Sequence, residues 1–197
     1  MNVSFLLTLF FLCFGLTGQA PSGKNARKPA ANPETEYLRR QMILEKAPYF
    51  TAVDLNGRIV TLASLKGKTV VLDFWATWCG PCLESLPGMQ HAANKYKNDP
   101  SVVFLFVNSW EHGDDKKKKI SAFLAKNKYT FNVLMDTQNK VIEAFQVSGI
   151  PTKFILDGNG NIRFKLEGYG GGDALNVTKS LSKKIELVKS EALAAKE

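Results

Sequence analysis

Cysteine and histidine are almost missing from this chain: Cys13, Cys79, Cys82, His91 and His112 are all it has in 197 residues. Three cysteines exclude a scaffold stapled by several disulfides, so packing must hold the fold. A structural zinc site needs four N or S ligands, and the two histidines form no second ligand pair at a familiar interval from Cys79 and Cys82. Aromatic residues are not interleaved with the lysines that give the net charge of +8, so the stacking platforms of a nucleic-acid binder are lacking. The densest basic run, Lys116 to Lys119, follows Asp114 and Asp115. Acids ahead of bases make a common opening of a solvated helix. No nucleic-acid partner and no metal are expected.

Long hydrophobic runs are equally scarce, with one exception at the start. Val3 to Leu16 is nearly all apolar but shorter than the roughly 20 residues a spanning helix needs. Gly18-Gln19-Ala20 supplies the small-x-small pattern of a cleavage site. Residues 1–20 therefore read as a signal peptide or a retained N-terminal anchor, and the chain as exported. In a Gram-negative source that means the periplasm, with residues 3–16 as a possible tether. Cys13 follows bulky Phe11 and Leu12 rather than the small residues of a lipid-attachment site, and reads as one more apolar residue of this segment.

What remains has ordinary globular composition, 45% apolar and 22% charged. Residues 21–46, with Pro21, Pro29 and Pro33, are too polar to form a core and read as a flexible linker, with a short helix expected over Tyr37 to Glu45. A folded domain is expected over 47–190. Phe50 to Asp54 and Ile59 to Thr61 alternate around Asn56-Gly57, a hairpin signal. Thr69 to Trp75 (TVVLDFW) is the apolar, β-branched run of a strand buried on both faces. Leu83 to Tyr96 has helical spacing, with Leu83, Leu86, Met89 and Ala93 along one side. Val102 to Val107 is a second buried strand. A helix over Asp114 to Lys128, a strand at Asn132 to Met135 and a short helix at Asn139 to Phe145 follow. Thr152 to Leu156 and Ile162 to Leu166 pair across Asp157-Gly158-Asn159-Gly160, and Asp173 opens a last helix running past Leu187. Strands alternating with helices, closed by an antiparallel hairpin, make an α/β fold.

The chemistry concentrates at Trp78-Cys79-Gly80-Pro81-Cys82, between the central strand and a helix. A helix N-terminus carries about half a positive charge and unpaired N–H groups, which favour thiolate over thiol. Cys79 at that entrance would be an exposed nucleophile. Cys82, one turn inward, could attack a mixed disulfide and release the partner. Pro81 is tolerated because its missing N–H belongs to the unpaired first turn.

These residues resemble the thioredoxin superfamily and, within it, the exported TlpA/ResA-like thiol–disulfide oxidoreductases. The resemblance covers about residues 47–170. Val71 to Ala76 leading into Trp78-Cys79-Gly80-Pro81-Cys82 is close to thioredoxin itself. Gly149-Ile150-Pro151-Thr152 is similar to the second landmark of the family, where the proline is cis and faces the disulfide. Ala47 to Phe50 with Asp54 to Gly57 resembles the extra hairpin of the exported branch, and residues 114–135 its inserted helix–strand unit. The resemblance implies a thioredoxin fold, a central mixed β-sheet flanked by helices, with that hairpin and insertion added. It implies catalysis by Cys79 and Cys82, with the buried Asp73 relaying the proton of the resolving thiol. It also implies a substrate surface of Trp78, Gly80, Pro81, Ile150 and Pro151, where an extended substrate strand can pair beside the thiols.

No cofactor beyond the redox-active Cys79–Cys82 disulfide is expected. Exported protein disulfides or thiols are the expected partners, with a membrane-bound dithiol as electron donor. Exported relatives commonly carry a Glu three residues after the second cysteine. Here Ser85 holds that place, and Glu84 points to another helix face, so its role is not transferred. A peroxidase would need Thr or Ser three residues before its cysteine, and Ala76 stands there. A non-enzymatic chaperone module would have no use for both Cys79 and Cys82.

Overall fold

The computed structural model describes residues 32–194; the expected export segment and residues 21–31 of the expected linker lie outside them. The central strand is β4 (Thr69–Trp75), buried along its whole length. It runs parallel to β5 (Val102–Asn108) and antiparallel to β7 (Thr152–Leu156). With β1 (Glu45–Lys46), β2 (Thr51–Asp54), β3 (Ile59–Thr61), β6 (Val133–Met135) and β8 (Asn161–Glu167), the sheet has the order β1-β8-β7-β4-β5-β6-β2-β3. Among the described residues only the β4–β5 and β5–β6 pairs are parallel. This is the expected central mixed sheet.

The turns follow from local chemistry. At the β2–β3 hairpin the Asp54 carboxylate accepts the backbone N–H groups of Asn56 and Arg58, and Gly57 takes the left-handed φ of +83°. In the β7–β8 turn Asp157 accepts the N–H groups of Asn159 and Asn161 in the same way.

Alternation along β4 divides the core. Val71 and Trp75 face a layer that includes Leu86, Met89 and Ala92 of α2 (Gly80–Lys95), Ile120 and Leu124 of α3 (Lys116–Asn127), and Leu181, Ile185 and Val188 of α5 (Ala174–Ala194). Val70, Leu72 and Phe74 face the opposite layer, with Val141 and Ile142 of α4 (Lys140–Ala144) beside Phe145 and Phe154. The hairpin β2–β3 extends the sheet through β6, and α3–β6 is the inserted unit.

Two expectations need correction. Residues 33–40 form α1 (Pro33–Arg40), so the helix lies earlier than Tyr37 to Glu45. Pro33 is not a linker proline: it occupies the first turn behind Asn32, whose side chain accepts the Glu34 N–H. Arg39 and Glu34 then pair with Glu191 and Lys183 of α5, and β1 adds to the edge of β8. From Asn32 onward the expected linker is thus part of the fold. In α2 the buried stripe is Cys82, Leu86, Met89 and Ala92, with Leu83 and Ala93 half-buried at its margin. The helix starts at Gly80 with Cys79 as its cap and Pro81 in its first turn, as expected from the motif's placement at a helix entrance.

Candidate active site

Strand β4 ends at Trp75 and the chain enters α2 at Gly80, so residues 76–79 form a short loop at the C-terminal edge of the sheet. Cys79 is the N-cap of α2, and its Sγ accepts the Cys82 N–H at 3.2 Å. That is the place where a helix stabilises negative charge on sulfur. Cys79 and Cys82 are joined as a disulfide. Gly80 and Pro81 are exposed between them.

Cys79 was expected to be exposed, yet it shows only 4% of its surface, and Cys82 none. In the disulfide the Cys79 sulfur is bonded to the buried Cys82 and lies 3.7 Å from the Ile150 carbonyl oxygen. The Ile150–Pro151 bond is cis, as the resemblance implies. Pro151 is buried and Ile150 half-buried, and Thr152 closes the loop by donating its hydroxyl to the Gly149 carbonyl. The structure therefore brings Cys79, Cys82 and Ile150 together at one spot, with Pro151 next in the chain.

Trp78 is 47% exposed beside the disulfide. Its indole N–H donates to the Trp110 carbonyl at 2.8 Å, and its ring stacks on His112 at 5.2 Å. A groove of about 390 Å³ opens there between Trp78, Trp110, His112 and Asn139. A larger groove, about 920 Å³, lies along α1 and α5, and none of its lining residues belongs to the site.

Asp73 is fully buried on β4. By strand alternation it faces the same layer as Val71 and Trp75, the layer that holds both cysteines. Its register partner on β7 is Lys153, whose ammonium approaches Oδ1 to 3.3 Å. Among the described residues neither carboxylate oxygen receives a hydrogen bond. Burial therefore pushes the Asp73 carboxyl up from 3.8, and the attraction of Lys153 opposes but does not cancel that push.

Sequence reasoning missed Lys153, although a lysine inside TKFIL, in the strand after Pro151, was a readable sign of a buried counter-charge. It also missed Glu111, which no local pattern betrays. Glu84 lies on the exposed face of α2, away from the buried Ser85, as expected, and His91 is exposed on the same helix.

A model of the AhpC/TSA family matches residues 43–165. The thiol-disulfide oxidoreductase ResA of Bacillus subtilis is 38% identical over 118 residues, which is 59% of this chain and 62% of that protein's length. ResA of Bacillus cereus is 33% identical over 129 residues, 66% of this chain and 72% of that protein. Among solved structures, StoA from Bacillus subtilis aligns with a TM-score of 0.56 at 26% identity, covering 68% of this chain and 96% of StoA. An exposed lipoprotein thioredoxin from Streptococcus pneumoniae aligns with a TM-score of 0.56 at 28% identity, covering 68% and 98%. The family match spans more than half of the 197 residues, and the sheet order, inserted unit and Cys79–Cys82 disulfide agree with it: the chain belongs to the AhpC/TSA family of the thioredoxin superfamily.

Proposed function

We propose that the protein is a thiol–disulfide oxidoreductase that reduces disulfides of exported proteins. The observation that carries this reading is the Cys79–Cys82 disulfide at the N-terminus of α2, beside the Ile150 carbonyl. In the reduced protein the Cys79 thiolate attacks a substrate disulfide. One substrate sulfur leaves as a thiolate and takes up a proton, and a mixed disulfide remains on Cys79. Cys82 then loses its proton and attacks Cys79 Sγ. The second substrate sulfur leaves and the Cys79–Cys82 bond re-forms. Two electrons have passed from the dithiol to the substrate, so no bound cofactor is invoked.

Asp73 is the acceptor this reading assigns for the Cys82 proton. A carboxyl raised by burial is a stronger base than an ordinary aspartate, and it faces the cysteine-containing layer. This reading assigns the substrate surface to the exposed Trp78, Gly80 and Pro81 and the half-buried Ile150, with the buried Pro151 shaping the turn beneath them. An extended chain can pair with backbone there. Regeneration needs an outside dithiol, and for an exported protein that donor must be reached through the membrane. Export rests on the apolar run at residues 3–16; among the described residues no helix is long and apolar enough to cross a membrane. Reduction of insulin disulfides by the wild-type protein, with loss of that activity in Cys79→Ser, tests the reading. Full activity in Cys79→Ser would refute it.

A further inference from the structure

We infer that Glu111 is a positioning residue for the redox cysteine, holding the loop that sets Cys79 on the N-terminus of α2. The inference rests on the oxidoreductase reading for its purpose, but its geometry is independent of it. Glu111 lies in the loop after β5, in a part of the chain without sequence kinship to the cysteine motif. Its side chain is only 1% exposed. One oxygen accepts the backbone N–H of Thr77 at 2.9 Å and the Asn108 amide at 3.1 Å. The other accepts the Thr77 hydroxyl at 2.8 Å and the Lys119 ammonium at 2.6 Å. Thr77 thus gives both its donors to one carboxylate, two residues before Cys79.

The loop that carries Glu111 is itself anchored. The Ser109 N–H donates to the Trp75 carbonyl and the Ser109 hydroxyl to Asp136. Asp136 in turn accepts two N–H groups from the first turn of α4. The Trp110 N–H donates to the Asn139 side chain, and Trp110 takes a left-handed φ of +53°. A non-glycine residue holds that conformation only where its surroundings over-determine it. Glu111 therefore transmits a fixed frame, built by β5, α4 and the inserted helix α3, to the one loop whose geometry decides where the sulfur sits.

The consequence for the sulfur has a definite sign. Cys79 caps α2 through its Sγ and bonds its own N–H back to Ala76. Freeing Thr77 lets that turn rotate, and the sulfur then loses part of the helix N-terminus that stabilises its thiolate. The Cys79 thiol pKa must rise. A carboxylate acting only through its charge does the reverse, because removing a nearby anion lowers a thiol pKa. The charge paired with Glu111 is Lys119 from α3, and His112, next in its own loop, adds its backbone N–H. Glu111 itself stays ionised: burial works against the charge, but the bonds from Lys119, Thr77 and Asn108 outweigh it and hold its pKa down at about 2.

The test is the pH dependence of Cys79 alkylation in the reduced full chain, read site by site by mass spectrometry, with thermal melting measured alongside. Glu111→Ala is expected to move the alkylation midpoint upward by about one pH unit, a roughly tenfold slower reaction on the acid side. Glu111→Gln, which keeps one acceptor oxygen for Thr77, should recover most of the shift. Lys119→Met, which changes the charge and leaves the Thr77 bonds, should shift the midpoint by less than half as much. A downward shift in Glu111→Ala would overturn the inference, as would an unchanged midpoint in Glu111→Ala accompanied by a lower melting temperature. So would a Lys119→Met shift as large as that of Glu111→Ala. If Glu111→Ala fails to fold, Thr77→Val, which removes the hydroxyl bond and keeps the Glu111 charge, carries the test: an upward midpoint supports the inference, and an unchanged or lowered one contradicts it. Alkylation needs no substrate turnover, so a wild-type protein unable to reduce insulin would refute the functional reading without touching this result.

Discussion

Asp73 and Lys153 face each other 3.3 Å apart across the β4–β7 ladder, both in the interior and with no hydrogen bond between them. Such a pair makes each partner costly to remove alone. Lys153→Met is expected to destabilise the fold by about 3–5 kcal/mol, the usual loss when one member of a buried pair is left behind. Asp73→Asn should do likewise by stranding the ammonium, and the double variant should recover part of the loss. The pH dependence has a fixed direction. Burial lifts the Asp73 pKa above 3.8, so the native state holds that proton more tightly than the unfolded chain. The stability it brings is complete below 3.8 and is lost as pH rises through the raised native value. Removing Lys153 raises that value further. Denaturant unfolding from pH 4 to 8 should therefore show the deficit of Lys153→Met growing with pH. A deficit that shrinks with rising pH would contradict the arrangement.

The same carboxyl is the assigned proton acceptor, which gives a separate kinetic expectation. Asp73→Asn should slow turnover by about 10²–10⁴-fold while leaving Cys79 alkylation fast, because only the resolving step needs the base. Stopped-flow separation of mixed-disulfide formation from its resolution measures this. Equal slowing of both steps would make Asp73 a structural residue.

Gly88 of α2 sits where α5 crosses. A Cβ there would lie 2.5 Å from Val177 Cβ and 3.0 Å from the Ala174 carbonyl oxygen. Alanine in a helix interior ordinarily gains about 1 kcal/mol over glycine. Here the obstacles are a branched Cβ and a backbone oxygen, neither able to swing aside, and overpacking costs about 1–3 kcal/mol. Gly88→Ala should also weaken the bond from the Thr178 hydroxyl to the Gly88 carbonyl. A lower melting temperature is expected, and a higher one would show that α5 moves freely against α2.

The strands from β2 to β8 and their turns were legible because each is written in adjacent residues, whereas β1, two residues of the expected linker, was not. TVVLDFW can only be a central strand, and Asn56-Gly57 and Asp157 to Gly160 state their own turns. The cysteine site was legible for the same reason, as five consecutive residues between a strand and a helix. Lys153 and Glu111 were not, because their meaning arises from register across the sheet and from a carboxylate reaching 34 residues back to Thr77. Pro33 misled the reading of α1: a proline in a polar stretch suggests a linker, but Asn32 before it and Leu38 buried on α5's side make it a helix start. The expected exposure of Cys79 assumed an open thiol, whereas the oxidised protein bonds its sulfur inward to Cys82.

The proposed reductive direction rests on what surrounds the sulfur. Among the described residues the Cys82 N–H is the donor that reaches Cys79 Sγ, and Gly80 and Pro81 bring no cationic or hydrogen-bonding side chain. Modest thiolate stabilisation favours a reductant with a potential near thioredoxin's, about −270 mV, rather than an oxidant near −120 mV. A glutathione-equilibrium titration should give a value in the lower part of that range. A potential above about −170 mV would contradict it.

Trapping on Cys82→Ala tests the division of labour between the two cysteines most directly. With the resolving thiol gone, the Cys79 mixed disulfide has no intramolecular exit. Incubation of the reduced variant with a disulfide-containing protein, followed by peptide mass spectrometry under non-reducing conditions, should yield an adduct on Cys79 that dithiothreitol releases. Cys79→Ser treated identically should yield none. An adduct on Cys82 in Cys79→Ser, with none on Cys79 in Cys82→Ala, would contradict the account.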